Sequence, residues 1–146
     1  MVLLDANIFL RYLVAPNTPE LERQHQASTC LFEALAADTT AASVSEAVLA
    51  EVFFVLTSPK TYDITPPDAV SMVRPLLTLR GLKVVNREQI DLALDLLSPH
   101  PALGFDDCVL AARSVLTKYP VCSFDHHFDR LEGLRRVEPD DQPLAA

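Results

Sequence analysis

No stretch of this 146-residue chain reaches the roughly 18 uncharged apolar positions that a membrane-spanning helix requires. The amino terminus, Met1-Val2-Leu3-Leu4-Asp5, has no basic cluster and meets a carboxylate at its fifth residue. It does not read as a secretory signal, and a cytoplasmic protein with no membrane association is expected. Three glycines exclude a collagen-like repeat. Cysteine is sparse. Cys30, Cys108 and Cys122 are odd in number and widely spaced, which suits reduced thiols better than a disulfide frame or a zinc site. Positive charge is also short: twelve basic residues face twenty acidic ones, a formal net charge of −8. Such a chain gains no general electrostatic affinity for nucleic acid. Any contact with nucleic acid would need a local basic patch or bound cations that reverse the sign of a site.

What is present is an ordinary globular composition, 49% hydrophobic and 22% charged. The length suits a single domain, expected over 1–138, with a frayed Pro- and Asp-containing tail over 139–146. Short apolar runs alternate with helical patterns. Strands are expected at Val2–Leu4, Thr39–Ala42, Leu82–Val85, Val121–Phe124 and Leu134–Val137. Helices are expected at 7–14, from Thr18-Pro19-Glu20 to Ala37, from a Ser43-Val44-Ser45-Glu46 capping box to Thr57, from Thr65-Pro66 to Leu79, at 87–97, and at 106–118 with Asp106 as its cap. Strands separated by helices imply an α/β fold with parallel pairing.

Four acids stand where solvated surface does not explain them. Asp5 follows an apolar strand, at the carboxyl edge where open parallel sheets place ligands, although it also suits a helix cap. Glu51 interrupts Ala47-Val48-Leu49-Ala50 and Val52-Phe53-Phe54-Val55-Leu56. A helix apolar all round is buried, so Glu51 is expected to be a buried carboxylate, offset either by an arginine or by something else. Asp107 follows Asp106 at a helix start, where the macrodipole favours both acids, but its position also points it inward with Leu110 and Ala111. Asp125 follows Val121-Cys122-Ser123-Phe124 and repeats the placement of Asp5. If those two strands are neighbours, their carboxylates meet. Four converging carboxylates repel one another, and one or two Mg²⁺ or Mn²⁺ ions would relieve this through oxygen ligands. The same ions would support in-line attack of water on phosphorus and would cancel the charge that repels a phosphodiester.

The run Leu3-Leu4-Asp5-Ala6-Asn7-Ile8-Phe9-Leu10-Arg11-Tyr12-Leu13 resembles the first motif of the PIN-domain ribonucleases, and among them the VapC-type toxins of type II toxin–antitoxin pairs. Leu49-Ala50-Glu51-Val52 resembles the second motif. Gly104-Phe105-Asp106-Asp107-Cys108-Val109-Leu110-Ala111-Ala112 resembles the third, and Ser123-Phe124-Asp125-His126-His127-Phe128-Asp129-Arg130-Leu131 the last. The four lie in order over nearly the whole chain. The resemblance implies a three-layer α/β/α sandwich around a mainly parallel sheet of four to five strands. It implies Asp5, Glu51, Asp107 and Asp125 as catalytic metal ligands supported by Asn7, Ser123 and Asp106, an RNA substrate, a homodimer and a small antitoxin partner. The departures are Asp106 in place of a small or apolar residue, Ser123 for threonine, His127 where another acid is frequent, and Gly104 at a frequently acidic position.

Arg11, Arg113 and Arg130 are candidate contacts for RNA phosphates, Arg11 foremost because it lies four residues after Asn7 on one helix face. Arg135-Arg136 reads as an edge-blunting pair, and His126 and His127 as incidental loop residues. Two other functions compete. An aspartate-based phospho-transfer domain is disfavoured because position 7 is not acidic, as a dehalogenase-like phosphatase would need, and no lysine sits at a strand end as in a receiver. The other is a catalytically weak binding module on the same fold, against which the intact acidic quartet argues.

Overall fold

The computed structural model describes residues 1–141. The chain divides into two compact units, Met1–Arg87 and Glu88 onward. The expected tail falls partly within a turn, where Glu138 N–H donates to Asp141 Oδ2 at 2.6 Å; residues 142–146 lie outside the described residues.

In the first unit the order is β1 (Val2–Leu3), α1 (Ala6–Leu13), α2 (Pro19–Ala36), β2 (Ala42–Val44), α3 (Glu46–Thr57), α4 (Pro66–Leu77) and β3 (Leu82–Val84). The strands form one parallel sheet in the order β1-β2-β3, pairing Val2 with Ala42 and Ala42 with Leu82. Helix starts follow the caps written in the sequence. Thr18 accepts from Leu21 N–H at 3.1 Å and Thr65 from Asp68 N–H at 3.3 Å, each ahead of a proline at the first helical position. Phe9, fully buried, meets Phe32 edge-on at 5.4 Å, and Tyr12 tilts against the same ring at 4.8 Å, which ties α1 to α2. Leu49, Val52, Phe53 and Leu56 of α3 and Val73 and Leu77 of α4 complete this core. Gly81 is required at the entry to β3, because a Cβ there would collide with the Thr40 carbonyl oxygen.

Two local expectations are corrected by the structure. The second strand is Ala42–Val44, not 39–42, which places Ser43 in the sheet and transfers the helix cap to Ser45; its Oγ accepts from Val48 N–H at 3.4 Å. Glu46 therefore closes no capping box with Ser43, and instead accepts from Asn86 Nδ2 at 2.7 Å.

The second unit contains α5 (Arg87–Leu97), whose first turn spans the boundary, then α6 (Phe105–Thr117), β4 (Val121–Cys122), a 3-10 helix (His126–Arg130) and β5 (Arg136–Val137). β4 pairs with β5 in parallel, with Val121 opposite Arg136. Ile90, Leu94, Cys108, Ala111, Ala112, Phe128 and Val137 are buried. α6 begins one residue earlier than expected, and its cap is Gly104 rather than Asp106. It ends at Lys118, held in the left-handed region at φ 65°. The fold is thus α/β. Among the described residues it has five strands, all paired in parallel, hydrogen-bonded as a three-stranded and a two-stranded sheet rather than as a single one. No described helix is long and apolar enough to cross a membrane.

Candidate functional site

In the first unit Asp5 leaves β1 and occupies the cap position of α1 with extended backbone, yet its side chain makes no capping hydrogen bond. Both it and Asn7 are exposed. The capping alternative therefore accounts for the backbone of Asp5 but not for its carboxylate. Glu51 contradicts the expectation of burial. It lies with Ala47 and the 71% exposed Phe54 on one exposed stripe of α3, spaced as residues on one helix face. The apolar sequence of this helix hides the stripe, because alanine and phenylalanine raise its hydrophobicity without being covered.

Arg11 directs Nε to Gln24 Oε1 at 2.8 Å. It lines two surface cavities of about 160 and 340 Å³; the larger, between α1 and α2, is also lined by Asn7, as their shared helix face predicts. Neither Asp5 nor Glu51 lines either cavity. Arg23 reaches into the larger one but is held by Glu20 at 2.7 Å, which keeps the Glu20 carboxyl below its ordinary range.

In the second unit the acids interact. Asp107 sits at the third position of α6, partly buried, with Oδ2 accepting from Gly104 N–H at 3.4 Å. Burial raises its carboxyl above the ordinary value, the charge of Asp106 raises it further, and Asp125 adds to the repulsion. Asp125 is pulled the other way. Its Oδ1 accepts from His127 N–H at 2.9 Å and from His127 Nδ1 at 2.6 Å, and these bonds hold it below the usual carboxylate range. The buried Cys108 thiol is pushed up to about 12 by burial, which leaves it unreactive.

Ser123 Oγ accepts from Asp125 N–H at 3.0 Å, so the supporting serine holds the backbone of the acid. Asp129 pairs with Arg136 Nε at 3.0 Å. Arg113 and Arg130 are exposed.

Sequence reasoning missed two residues. His127 is not incidental, since it grips Asp125; the signal was present, because an aspartate readily accepts from the N–H two residues on. Arg136 does not blunt an edge: its side chain is 11% exposed and bonds inward. Nothing local in the sequence marks that role, because its partner Ser123 lies thirteen residues away. Among the described residues no group of three or more His, Cys, Asp or Glu side chains is gathered to hold a metal ion. The donor chemistry of the pair in this unit, carboxylate oxygens in mutual repulsion, nevertheless fits a hard divalent cation.

No curated protein matches the chain. Among solved structures it is similar to VapBC2 from Rickettsia felis bound to a DNA fragment from their promoter, with 16% sequence identity, 94% of this chain and 97% of that chain covered, and a TM-score of 0.37. The family model for the PIN domain matches residues 2–134, a span that includes Asp5, Glu51, Asp107 and Asp125. The chain belongs to the PIN-domain family.

Proposed function

We propose that this chain is a Mg²⁺- or Mn²⁺-dependent endoribonuclease, the toxin of a toxin–antitoxin pair, with Asp5, Glu51, Asp107 and Asp125 as the ligands of one or two ions. The observation that carries this reading is the PIN match over 2–134, a span that includes all four acids. PIN domains are generally nucleases that use divalent ions. The state of Asp107 supports it: a carboxyl raised by burial and by two neighbouring acids gains most from a cation. When bound, the ion supplies the Lewis acidity that activates water and stabilises charge developing at phosphorus.

The chain's own groups have separate roles in this reading. His127 keeps Asp125 ionised and oriented, and Ser123 fixes its backbone. Asn7, two residues beyond Asp5, supplies a polar group beside that acid. Asp106 deepens the negative potential that attracts the cation. Arg11, Arg113 and Arg130 hold RNA phosphates, which positions the strand without reading its sequence. Water, rather than the ribose 2′-hydroxyl, is the nucleophile, so the products carry 5′-phosphate and 3′-hydroxyl ends.

The toxin assignment rests on the resemblance of Leu3–Leu13 to the VapC-type motif. It brings a homodimer and a small antitoxin, and the charge of −8 suits a partner that presents arginines to the acidic site. Incubation of the purified chain with labelled RNA and labelled DNA, with and without Mn²⁺, tests the reading. Metal-dependent cutting of RNA is expected, and RNA left intact at every Mn²⁺ concentration would refute it. One observation favours a second reading, a PIN-fold binding module with weak catalysis: among the described residues no three ligand side chains are gathered. That module would retain RNA on a filter without cutting it.

A further inference from the structure

We propose that Arg136 is a positioning residue, whose guanidinium staples both ends of the segment 123–129 and so fixes Asp125 between them. The inference rests on the reading of Asp125 as a metal ligand.

Arg136 lies in β5 with its side chain 11% exposed, unusually covered for an arginine. Its Nη1 donates to the Ser123 carbonyl at 2.7 Å and to Glu138 Oε1 at 2.9 Å, and its Nε donates to Asp129 Oδ1 at 3.0 Å. One planar group therefore reaches the residue two before Asp125 and the residue four after it. Ser123 is held from the other side too, because its N–H donates to the Val137 carbonyl at 3.0 Å. β5 thus grips Ser123 twice, once through backbone and once through Arg136. Ser123 Oγ then takes the Asp125 N–H at 3.0 Å.

The guanidinium thus reaches Asp125 through Ser123, and its Nη2 also lies 3.1 Å from Nδ1 of His126, the residue after Asp125. An arginine meant only to blunt an edge would extend into solvent, whereas this one is covered and bonds both ends of one turn, with a further bond to Glu138. Guanidinium suits this role because it offers five donors in a fixed plane, whereas lysine offers a point charge that cannot span both anchors. Without Arg136, the Ser123 carbonyl and the Asp129 carboxylate lose their common donor, and β5 holds the turn of Asp125 only through the Ser123 N–H. Groups that orient a metal ligand in this way typically matter 10- to 100-fold in metal affinity or activity, an order-of-magnitude range of about one to two decades.

The test is calorimetric titration of the full chain with Mn²⁺, together with steady-state RNA cleavage. R136Q is expected to bind Mn²⁺ roughly 10- to 100-fold more weakly and to lose kcat with KM for RNA little changed. R136K should recover part of the loss. R135Q, which removes the same charge from the neighbouring residue, should match the parent. Equal Mn²⁺ affinity in R136Q and the parent would overturn the proposal. Should R136Q fail to fold, D129N cuts one arm of the staple alone and is expected to weaken Mn²⁺ binding several-fold; parental affinity there would overturn the proposal as well. A parent chain that binds no Mn²⁺ would instead defeat the ligand reading of Asp125, and the proposal with it.

Discussion

A single oxygen of Asp125, Oδ1, accepts from both the backbone N–H and the ring Nδ1 of His127, at 2.9 and 2.6 Å. The tautomer follows, because an ionised carboxylate can only accept, so the ring proton resides on Nδ1. The carboxyl of Asp125 is lowered by these bonds. The interaction therefore contributes stability above the ordinary aspartate value and loses it as pH falls through the lowered one. The backbone bond is the larger cause and survives in H127A, so that variant is expected to raise the Asp125 carboxyl only part of the way toward its ordinary range, read by carboxyl-carbon NMR titration. An unchanged midpoint would mean that the histidine does not control the acid.

Asp107 behaves oppositely. Its carboxyl is raised, first by burial and then by Asp106, so the fold loses stability as pH rises from the unfolded value through the raised one. If cleavage needs ionised Asp107, activity should climb across the same interval. D106N removes the second cause, so the acid limb of the rate profile should move to lower pH. A limb that stays in place would show that another group sets it.

The quartet can be tested residue by residue. D5N, E51Q, D107N and D125N should each lower cleavage by about 100-fold or more, since loss of a ligand should exceed the loss of a group that merely orients one. Circular dichroism should show each variant folded. Mass spectrometry of fragments from the parent should find 5′-phosphate ends; 2′,3′-cyclic phosphates would point to a metal-free reaction.

The antitoxin prediction follows from linkage. A partner arginine that competes with the cation for these acids must lower Mn²⁺ affinity as much as Mn²⁺ lowers partner affinity. If the complex takes up Mn²⁺ as tightly as the free chain, inhibition works by blocking RNA entry.

The core offers a simpler measurement. Phe9 is fully buried against Phe32, and F9A should destabilise the chain by about 3–5 kcal/mol in denaturant titration. S45A should cost about 1 kcal/mol through loss of the α3 cap. A smaller effect from S45A than from capping-neutral surface changes would return the cap to Ser43.

Much of this molecule could be read along the chain where the cause is local. Thr18-Pro19 and Thr65-Pro66 start helices because cap and proline act within one turn. Asp5 and Asp125 were recognisable as carboxylates closing apolar runs, although the strands themselves stop earlier, at Leu3 and Cys122. Glu51 was misread because hydrophobicity reports what a side chain is made of, not whether anything covers it. The Gly104 cap was missed because Asp106 offers the commoner capping side chain. Arg136 was out of reach for a different reason: its partners are brought to it by the pairing of β4 with β5, a relationship that no window of sequence contains.

Pairing of Val121 with Arg136 also gives the chain a history on the ribosome. Synthesis proceeds from the amino terminus, and elements fold as they emerge. The strands of the first sheet have all been made by Val84, and Asp125 follows well before β5. Until β5 appears, β4 lacks its partner strand and the turn carrying Asp125 lacks its clamp. On the proposed reading, a ribonuclease built in this order passes its birth beside ribosomal RNA with the turn of Asp125 still lacking its Arg136 clamp, which arrives only as synthesis of the fold finishes.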